Sequence, residues 1–193
     1  MAQDAVKYKL VVIGGSAGSL DIILKIIAEA PLSNIVYIII VHRRNDNDSV
    51  LTNLFSSRTR FKVKEVEDKD NILPGYMYVA PADYHLLLED EKTFSLDASE
   101  KIYFSRPSID VTFESVAEVF GNAAIGILLS GANADGALGL KRIQEAGGFT
   151  IVQSPESAEV DYMPKQAIEQ LEPNAIINAD DIPNFLNSII SLS

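Results

Sequence analysis

The stretch that most constrains the fold runs from Lys9 to Gly18, where an apolar run stops at two glycines before a serine and a third glycine. A short apolar run bounded by glycine is typical of a strand that is buried on both faces of a sheet. The helical pattern that follows predicts a sharp strand-to-helix turn with Ser16 at its apex. Such a turn places a hydroxyl beside the free N–H groups of a helix N-terminus. The alternative is an ordinary glycine-rich turn in which Ser16 caps the helix.

Strand and helix patterns alternate along the chain after this turn. Runs rich in β-branched residues predict further strands over 35–42, 61–66, 76–80, 123–129, 147–152 and 174–177. Apolar residues at helical spacing predict helices over 20–30, 50–55, 109–120, 138–146, 164–168 and 182–192. The alternation indicates an α/β fold with a doubly wound, mostly parallel sheet and helices on both faces. We expect a single catalytic domain over 1–193, because no repeat or linker interrupts the pattern.

The pattern changes between Asp68 and Asp97. Two β-rich runs, His85–Glu89 and Thr93–Leu96, are separated by the polar residues 90–92 and predict a hairpin. We expect this small antiparallel hairpin to be an addition to the sheet rather than a second domain.

The composition excludes several classes of function. The chain has no cysteine, which rules out disulfides and thiol nucleophiles, and the two histidines, His42 and His85, are too far apart for a zinc motif. We therefore expect no metal and no cofactor. A net charge of −11 disfavours nucleic acid and anionic membranes as partners, because phosphates are bound by clustered Lys and Arg. No signal peptide or run of ~18 apolar residues is present, so we expect a soluble, cytoplasmic protein.

Three polar residues follow predicted strands, namely Ser16, His42 and Asp135. In an open α/β sheet, ligands bind at the carboxyl ends of the strands. Serine hydrolysis needs these residue types, because a hydroxyl attacks, an imidazole takes its proton and a carboxylate orients the imidazole. We expect His42 Nε2 to lie within roughly 3 Å of the Ser16 hydroxyl and the other ring nitrogen to face Asp135. For His85 we favour a packing or cleft-lining role.

Other interpretations of the glycine turn fail on spacing. A dinucleotide fingerprint would require glycine at Ile13, and the Gly-Lys-Ser/Thr sequence of a phosphate-binding loop is absent. Standard α/β-hydrolases place the catalytic histidine last in chain order, and no histidine follows His85. The turn thus resembles a hydrolase elbow on a different fold.

Several segments then occur in a distinctive order, namely Ile13–Gly18, His42, Tyr78–His85, Arg106–Val116, Leu128–Ala137 and Asp161–Ile168. Together they resemble the catalytic domain of the chemotaxis protein-glutamate methylesterases, from Val11 to about Ile168. The resemblance implies a hydrolase that converts glutamate methyl esters on the cytoplasmic helices of chemoreceptors to glutamate and methanol, and that also deamidates receptor glutamines. This family often carries an N-terminal receiver domain, which we do not expect in this chain.

The resemblance also implies roles for individual residues. Ser16 is the nucleophile, His42 the general base and then acid, and Asp135 the orienting carboxylate. Backbone N–H groups of Ala17 and of the Gly131-Ala132 loop are the candidates for binding the oxyanion.

The chain departs from the family pattern at both loops. The elbow lacks the usual threonine, which is replaced by Ala17. The later loop has Ala132 and Asn133 in place of methionine and glycine; asparagine tolerates left-handed backbone better than most residues. These changes keep two alternatives open, a non-catalytic receptor-binding adaptor and a serine esterase for another substrate. The oligomeric state is left open by the sequence.

Four further residues carry smaller expectations. We expect Ser19 to support the N-terminus of the first helix, and Asp110 to be a charge in the first turn of a helix. Asp161 is expected to be a loop residue. Arg106 is expected either to line the cleft or to make a structural hydrogen bond.

Overall fold

The structure, a computed structural model, describes residues 8–43 and 48–191, and describes the main chain alone for 48 and 49. Within these residues the strands are β1 (Leu10–Gly15), β2 (Val36–Val41), β3 (Lys62–Glu65), β4 (Tyr76–Val79), β5 (His85–Asp90), β6 (Thr93–Asp97), β7 (Ala124–Leu128), β8 (Phe149–Gln153) and β9 (Ala175–Ile177). The helices are α1 (Leu20–Glu29), α2 (Asp48–Ser56), α3 (Ile109–Phe120), α4 (Ala137–Glu145), α5 (Tyr162–Gln170) and α6 (Ile182–Ser191). Residues 44–47, which lie between the strand expected over 35–42 and the helix expected over 50–55, fall outside the described residues, as does the expected last helical residue Leu192.

Seven of these strands form one parallel sheet in the order β3-β4-β2-β1-β7-β8-β9. Strand β1 lies at the centre, with β2 on one side and β7 on the other. Strands β2, β3 and β4 lie on one side of β1, and the later strands β7, β8 and β9 lie on its other side, so the direction of strand addition reverses at β1. In open α/β sheets the crevice at such a reversal is where ligands bind.

The central strand is buried on both faces because its residues alternate between two cores. Leu10 and Val12 pack in the core beneath α3, α4 and α5, whereas Val11 and Ile13 pack in the core beneath α1 and α6. All four side chains have no exposed surface. A strand covered on both sides needs a continuous apolar sequence, which this one has. The doubly wound α/β fold is therefore confirmed.

The expected hairpin is also confirmed, as the antiparallel pair β5–β6. It lies over α3, where the Thr112 hydroxyl donates to the Leu86 carbonyl at 2.8 Å and the Leu88 N–H donates to the Ser115 hydroxyl at 3.2 Å. The hairpin therefore covers one side of the helix whose N-terminus enters the candidate site.

One helix boundary differs in an instructive way from the expectation. Helix α5 begins at Tyr162, two residues before the expected start at Pro164. Proline lacks an N–H group, but the N–H groups of the first helical turn have no intrahelical partner, so proline is tolerated there. Asp161, expected in a loop, is the N-cap residue of this helix and pairs with Lys165 at 2.5 Å.

Candidate active site

The backbone of Ser16 is held on both sides at the end of β1. Its N–H donates to the Ser130 carbonyl at 2.9 Å. Its own carbonyl accepts from the Ser19 N–H at 3.1 Å and from the Ser19 hydroxyl at 2.7 Å. The Ser16 side chain is half-buried. The turn therefore presents one hydroxyl in a fixed place beside the N-terminus of α1.

Ser16 does not cap the helix, so the capping alternative for this residue is wrong. Ser19 occupies the N-cap position, and its carbonyl accepts the N–H of Ile23 at 3.0 Å. The hydroxyl of Ser19 makes no capping bond and donates back to Ser16 instead. Ser19 thus supports the elbow with its side chain and the helix with its backbone.

Two glycines are required by the tight geometry of the elbow. A Cβ on Gly15 would lie 2.5 Å from the Ser19 Cβ. Gly18 has a φ of +77° and a Cβ there would lie 2.5 Å from the Glu159 Cβ. The close approach at Gly15 leaves no room for a Cβ, and L-residues with a side chain avoid the positive φ of Gly18, so neither position accepts a larger residue without rearrangement.

His42 follows the neighbouring strand at the same level. The parallel register pairs Gly15 with Val41, and the His42 N–H donates to the Gly15 carbonyl at 3.3 Å. Ser16 and His42 therefore come directly after paired residues. The His42 side chain is 9% exposed.

The imidazole of His42 reaches Asp135 through Nε2, which lies 2.6 Å from Oδ2 of the carboxylate. The expectation that Nε2 faces Ser16 is therefore wrong. Asp135 follows β7, and the central strand β1 lies between β7 and β2, the strand that precedes His42. Nε2 lies farther from the main chain than Nδ1, so it is the ring nitrogen that reaches the carboxylate across this distance. Nδ1 is the nitrogen left for Ser16. Among the described residues, the Ser16 hydroxyl has no hydrogen-bond partner.

Asp135 is fully buried, and both of its oxygens are occupied. Oδ1 accepts the Ser108 hydroxyl at 2.8 Å and the Asp110 N–H at 2.9 Å. Oδ2 accepts the Ile109 N–H at 2.7 Å in addition to His42. These donors form the N-terminus of α3, which favours an anion through its free N–H groups and its dipole. The carboxylate is thus fixed in orientation before any substrate arrives.

Asp110 lies in the first turn of α3, as expected, but its side chain is buried rather than solvated. Its side chain is 6% exposed, and Oδ1 accepts the N–H groups of Gly136 at 2.9 Å and Gly139 at 2.7 Å. Burial raises the pKa of Asp110 to about 6; the nearby Asp135 carboxylate also raises it, against the hydrogen bonds from Gly139 and Gly136. Two carboxylates therefore join the N-termini of α3 and α4.

His85 has a structural position. It is 1% exposed; its Nδ1 accepts the Ser108 N–H at 3.1 Å and its Nε2 donates to the Glu100 carbonyl at 2.8 Å. The packing role expected for His85 is confirmed. Through this bond His85 holds Ser108, whose hydroxyl contacts Asp135. Sequence reasoning missed Ser108, although a serine directly before an apolar helical pattern is a recognisable N-cap signal.

The three backbone groups expected to bind an oxyanion are not equivalent. The Gly131 N–H donates to the Val160 carbonyl at 3.1 Å, so it is already occupied and the expectation for this N–H fails. Within the described part of the chain, the N–H groups of Ala17 and Ala132 have no acceptor, and both residues are exposed. Gly131 instead provides space, because a Cβ there would lie 3.1 Å from the Ser16 Cβ.

Asn133 stands where the family usually has glycine, and its backbone is not left-handed. The non-glycine residues with positive φ in the described chain are Lys69, Asp83, Tyr103 and Phe104. The Oδ1 of Asn133 accepts the Asp135 N–H at 3.1 Å, and its Nδ2 donates to the Tyr103 carbonyl at 3.3 Å. The departure therefore adds two hydrogen bonds to the loop that carries Asp135.

A cavity of about 590 Å³ opens beside His42. Its lining residues are His42, Arg43, Asp83, Lys101, Phe104, Ser105 and Arg106. Arg106 lines this cavity and also donates to the carbonyls of Ala98 at 2.8 Å and Ser99 at 2.7 Å, so both of its expected roles are observed. The cavity is large enough for a side chain and part of the backbone that bears it.

Neither a metal cluster nor a membrane span is found in the described residues. No group of three or more His, Cys, Asp or Glu side chains in that part of the chain is placed to hold a metal ion. None of the described helices has the length and apolar character needed to cross a bilayer.

The chain matches the family model described as CheB methylesterase over residues 11–186. A protein of Leptospira interrogans, provisionally named protein-glutamate methylesterase/protein-glutamine glutaminase, is 42% identical over 176 residues, or 91% of each chain. A Shewanella oneidensis protein with these two activities in its name is 33% identical over 98% of this chain and 54% of its own length. The crystal structure of the Thermotoga maritima CheB methylesterase catalytic domain matches with a TM-score of 0.88 and 32% identity, covering 97% of this chain and all (100%) of that one.

Proposed function

The chain belongs to the CheB methylesterase family, and from this premise we propose that it is a serine hydrolase that removes methyl groups from protein glutamate esters. Its products are a protein glutamate and methanol. Its relatives are named for this activity and for glutamine deamidation, and the same acyl chemistry serves both. The observation that carries the proposal is the buried Asp135 carboxylate 2.6 Å from His42 Nε2, with Ser16 at the adjacent strand end.

We assign the nucleophile to Ser16 and the base to His42. The hydroxyl turns about its Cα–Cβ bond to reach Nδ1 of His42, since catalytic hydrogen bonds often tighten only with substrate present. As Ser16 Oγ attacks the ester carbonyl, Nδ1 takes its proton, and Asp135 stabilises the resulting imidazolium through Nε2. His42 then gives the proton to the departing methoxide, and methanol leaves. A water molecule, activated by the same nitrogen, hydrolyses the acyl-enzyme and frees the Ser16 hydroxyl.

The oxyanion of each tetrahedral intermediate is bound by the N–H groups of Ala17 and Ala132 in this proposal. Both groups are free of acceptors among the described residues, and both belong to loops that flank Ser16. Donors aimed at the developing charge each contribute roughly 10²–10³ in rate in other hydrolases. Ala17 and Ala132 replace the threonine and the methionine that the family usually has, and alanine keeps the backbone N–H group at both positions.

The proposed substrate is a methylated chemoreceptor, whose ester-bearing helices lie in the cytoplasm, and we place the enzyme in the same compartment. The direct test is methanol release from methylated receptor by the wild type and by Ser16→Ala. We expect the variant to lose turnover by about 10⁴-fold or more, because the attacking oxygen is absent.

Ser188→Ala is the matched control, since Ser188 is an exposed serine on α6 and its replacement should leave turnover unchanged. Equal methanol release by the wild type and Ser16→Ala would overturn the assignment of the nucleophile. Tight receptor binding without any methanol would instead indicate an adaptor, and turnover of small esters alone would indicate another substrate.

A further inference from the structure

A two-residue turn with aromatic side chains lies at the mouth of the cavity. Ile102 and Ser105 exchange two backbone hydrogen bonds, Ile102 N–H to Ser105 O at 3.1 Å and Ser105 N–H to Ile102 O at 2.8 Å. The central residues Tyr103 and Phe104 have φ values of +47° and +61°. Turns that need positive φ at both central positions are normally built from Asn, Asp and Gly. We call residues 102–105 the aromatic turn.

Packing within the chain does not account for the two rings. Phe104 is 97% exposed and Tyr103 is 43% exposed. A bulky residue in the left-handed region is an outlier that usually has a functional reason. Here the unfavourable backbone conformation places a large apolar side chain in solvent, which stabilises nothing in the free protein. An external partner that covers the ring would provide the missing stabilisation.

The aromatic turn is joined to the candidate catalytic residues in two ways. Phe104 and His42 line the same cavity. The Tyr103 carbonyl accepts the amide of Asn133, which in turn accepts the Asp135 N–H. A molecule that covers Phe104 therefore extends directly to the cavity at His42.

The charges at the cavity mouth indicate the character of this molecule. Arg43 pairs with Glu65 at 2.5 Å, and Arg106 donates to two carbonyls. Lys101 is exposed and forms no ion pair among the described residues. Three cationic residues thus line the cavity against one acidic residue, Asp83, on a chain whose net charge is −11. Such a local reversal of sign favours an acidic partner.

We infer that the aromatic turn is a docking surface for the acidic, amphipathic helix that carries the glutamyl ester. Phe104 packs on the apolar face of that helix, Lys101 pairs with one of its carboxylates, and the ester side chain enters the cavity toward His42. This inference rests on the proposed function and specifies how its substrate is held.

The test compares Phe104→Asn with the wild type on methylated receptor. Asparagine tolerates positive φ, so the variant keeps the turn and removes the ring. We expect kcat/KM on the receptor to fall about tenfold, mainly through KM, as expected for an exposed aromatic anchor. The loss on a small methyl ester should be at least fivefold smaller than the loss on the receptor. Lys101→Glu should lower receptor kcat/KM several-fold, and this loss should shrink in high salt.

Leu32→Asn is the control, because Leu32 is 56% exposed in the loop before β2, at the opposite end of the strands from the site. It should match the wild type on both substrates. Unchanged receptor kcat/KM in Phe104→Asn, or equal losses on receptor and small ester, would overturn the inference.

Binding of an acidic receptor helix fragment to Ser16→Ala, with and without Phe104→Asn, separates this inference from the proposed function. Weaker binding with the second substitution supports docking even if the wild type releases no methanol. Equal binding of the two proteins overturns docking even if methanol is released.

Discussion

The Asp135 side of the site and the Ser16 side differ in how many of their polar groups already have partners. On the Asp135 side, every carboxylate oxygen is hydrogen-bonded and the side chain is fully buried. On the Ser16 side, the hydroxyl and the N–H groups of Ala17 and Ala132 lack partners among the described residues. We call these the closed half and the open half.

This difference follows from what each half does in the proposed reaction. The closed half orients an imidazole and bears no contact with substrate, so it can be completed on folding. The open half must bind a carbonyl oxygen that arrives with the substrate, and donors that were already occupied would have to be released first. Gly131 illustrates the point, because its occupied N–H is lost as an oxyanion donor.

The substitution with the largest expected effect on the closed half is Asp135→Asn, which replaces one acceptor oxygen with an amide NH₂ group. The amide NH₂ then faces a donor, either from the N-terminus of α3 or from His42. We expect kcat to fall by about 10³-fold or more and the free energy of unfolding to fall by about 1–3 kcal/mol. Ester turnover and urea unfolding measure the two effects.

The open half supplies the matched comparison for this variant. Ser16→Ala removes a hydroxyl that has no partner among the described residues, so it should abolish turnover with stability within about 0.5 kcal/mol of the wild type. If both variants unfold at the same urea concentration as the wild type, the distinction between the two halves is wrong.

A second substitution, Asp110→Asn, tests whether the charge of the other buried carboxylate near the closed half lowers the stability of the protein. The raised pKa of about 6 means that the folded protein binds this proton more tightly than the unfolded chain does. The stability contributed by protonated Asp110 is therefore present below about pH 4 and is lost as the pH rises through about 6. Asparagine keeps an acceptor for Gly136 and Gly139 without a charge, so the variant should be more stable than the wild type at pH 8 by about 1–2 kcal/mol.

Urea unfolding of both proteins at pH 4.5 and pH 8 measures this effect. The gain should be largest at pH 8 and small at pH 4.5. A gain of equal size at both pH values would show that the charge of Asp110 is not its cause.

The smallest expected effect comes from Asn133→Gly, at the junction of the two halves. The substitution removes the bonds to Asp135 and Tyr103 and returns the glycine that the family usually has. We expect kcat/KM on the receptor to fall two- to fivefold, because the loop becomes more mobile. Asn133→Ala separates loss of the hydrogen bonds from added backbone freedom. A glycine variant faster than the wild type would contradict a supporting role for Asn133.

The fold could be predicted from the sequence because each central strand is marked by a local sequence pattern. β1 and β2 are continuous apolar runs with glycine or polar residues at their ends, and such runs are read without knowing their neighbours. The wrong start of α5 arose from a local rule applied too strictly, since proline ends a helix but is tolerated in its first turn.

The residues of the site were predictable only as far as strand ends and the family resemblance define them. Ser16, His42 and Asp135 were found in this way, and their catalytic roles stay predictions. The burial of Asp110 and the partners of Asp135 could not be found, because they depend on the packing of α3 against a loop some 25 to 27 residues away. The ring orientation of His42 likewise depends on the distance across the central strand.

The bond between His42 and Asp135 joins residues that are 93 positions apart. The central strand β1 has one neighbour, β2, close in sequence, while the other, β7, begins only at Ala124. During synthesis, Ser16 and His42 leave the ribosome long before the carboxylate that orients the imidazole has been made. In the proposed mechanism, efficient ester cleavage therefore requires the second half of the sheet to have assembled, and turnover would report on complete folding of the domain. A growing or truncated chain that ends before Asp135 would carry the proposed nucleophile and base without the carboxylate that orients the imidazole.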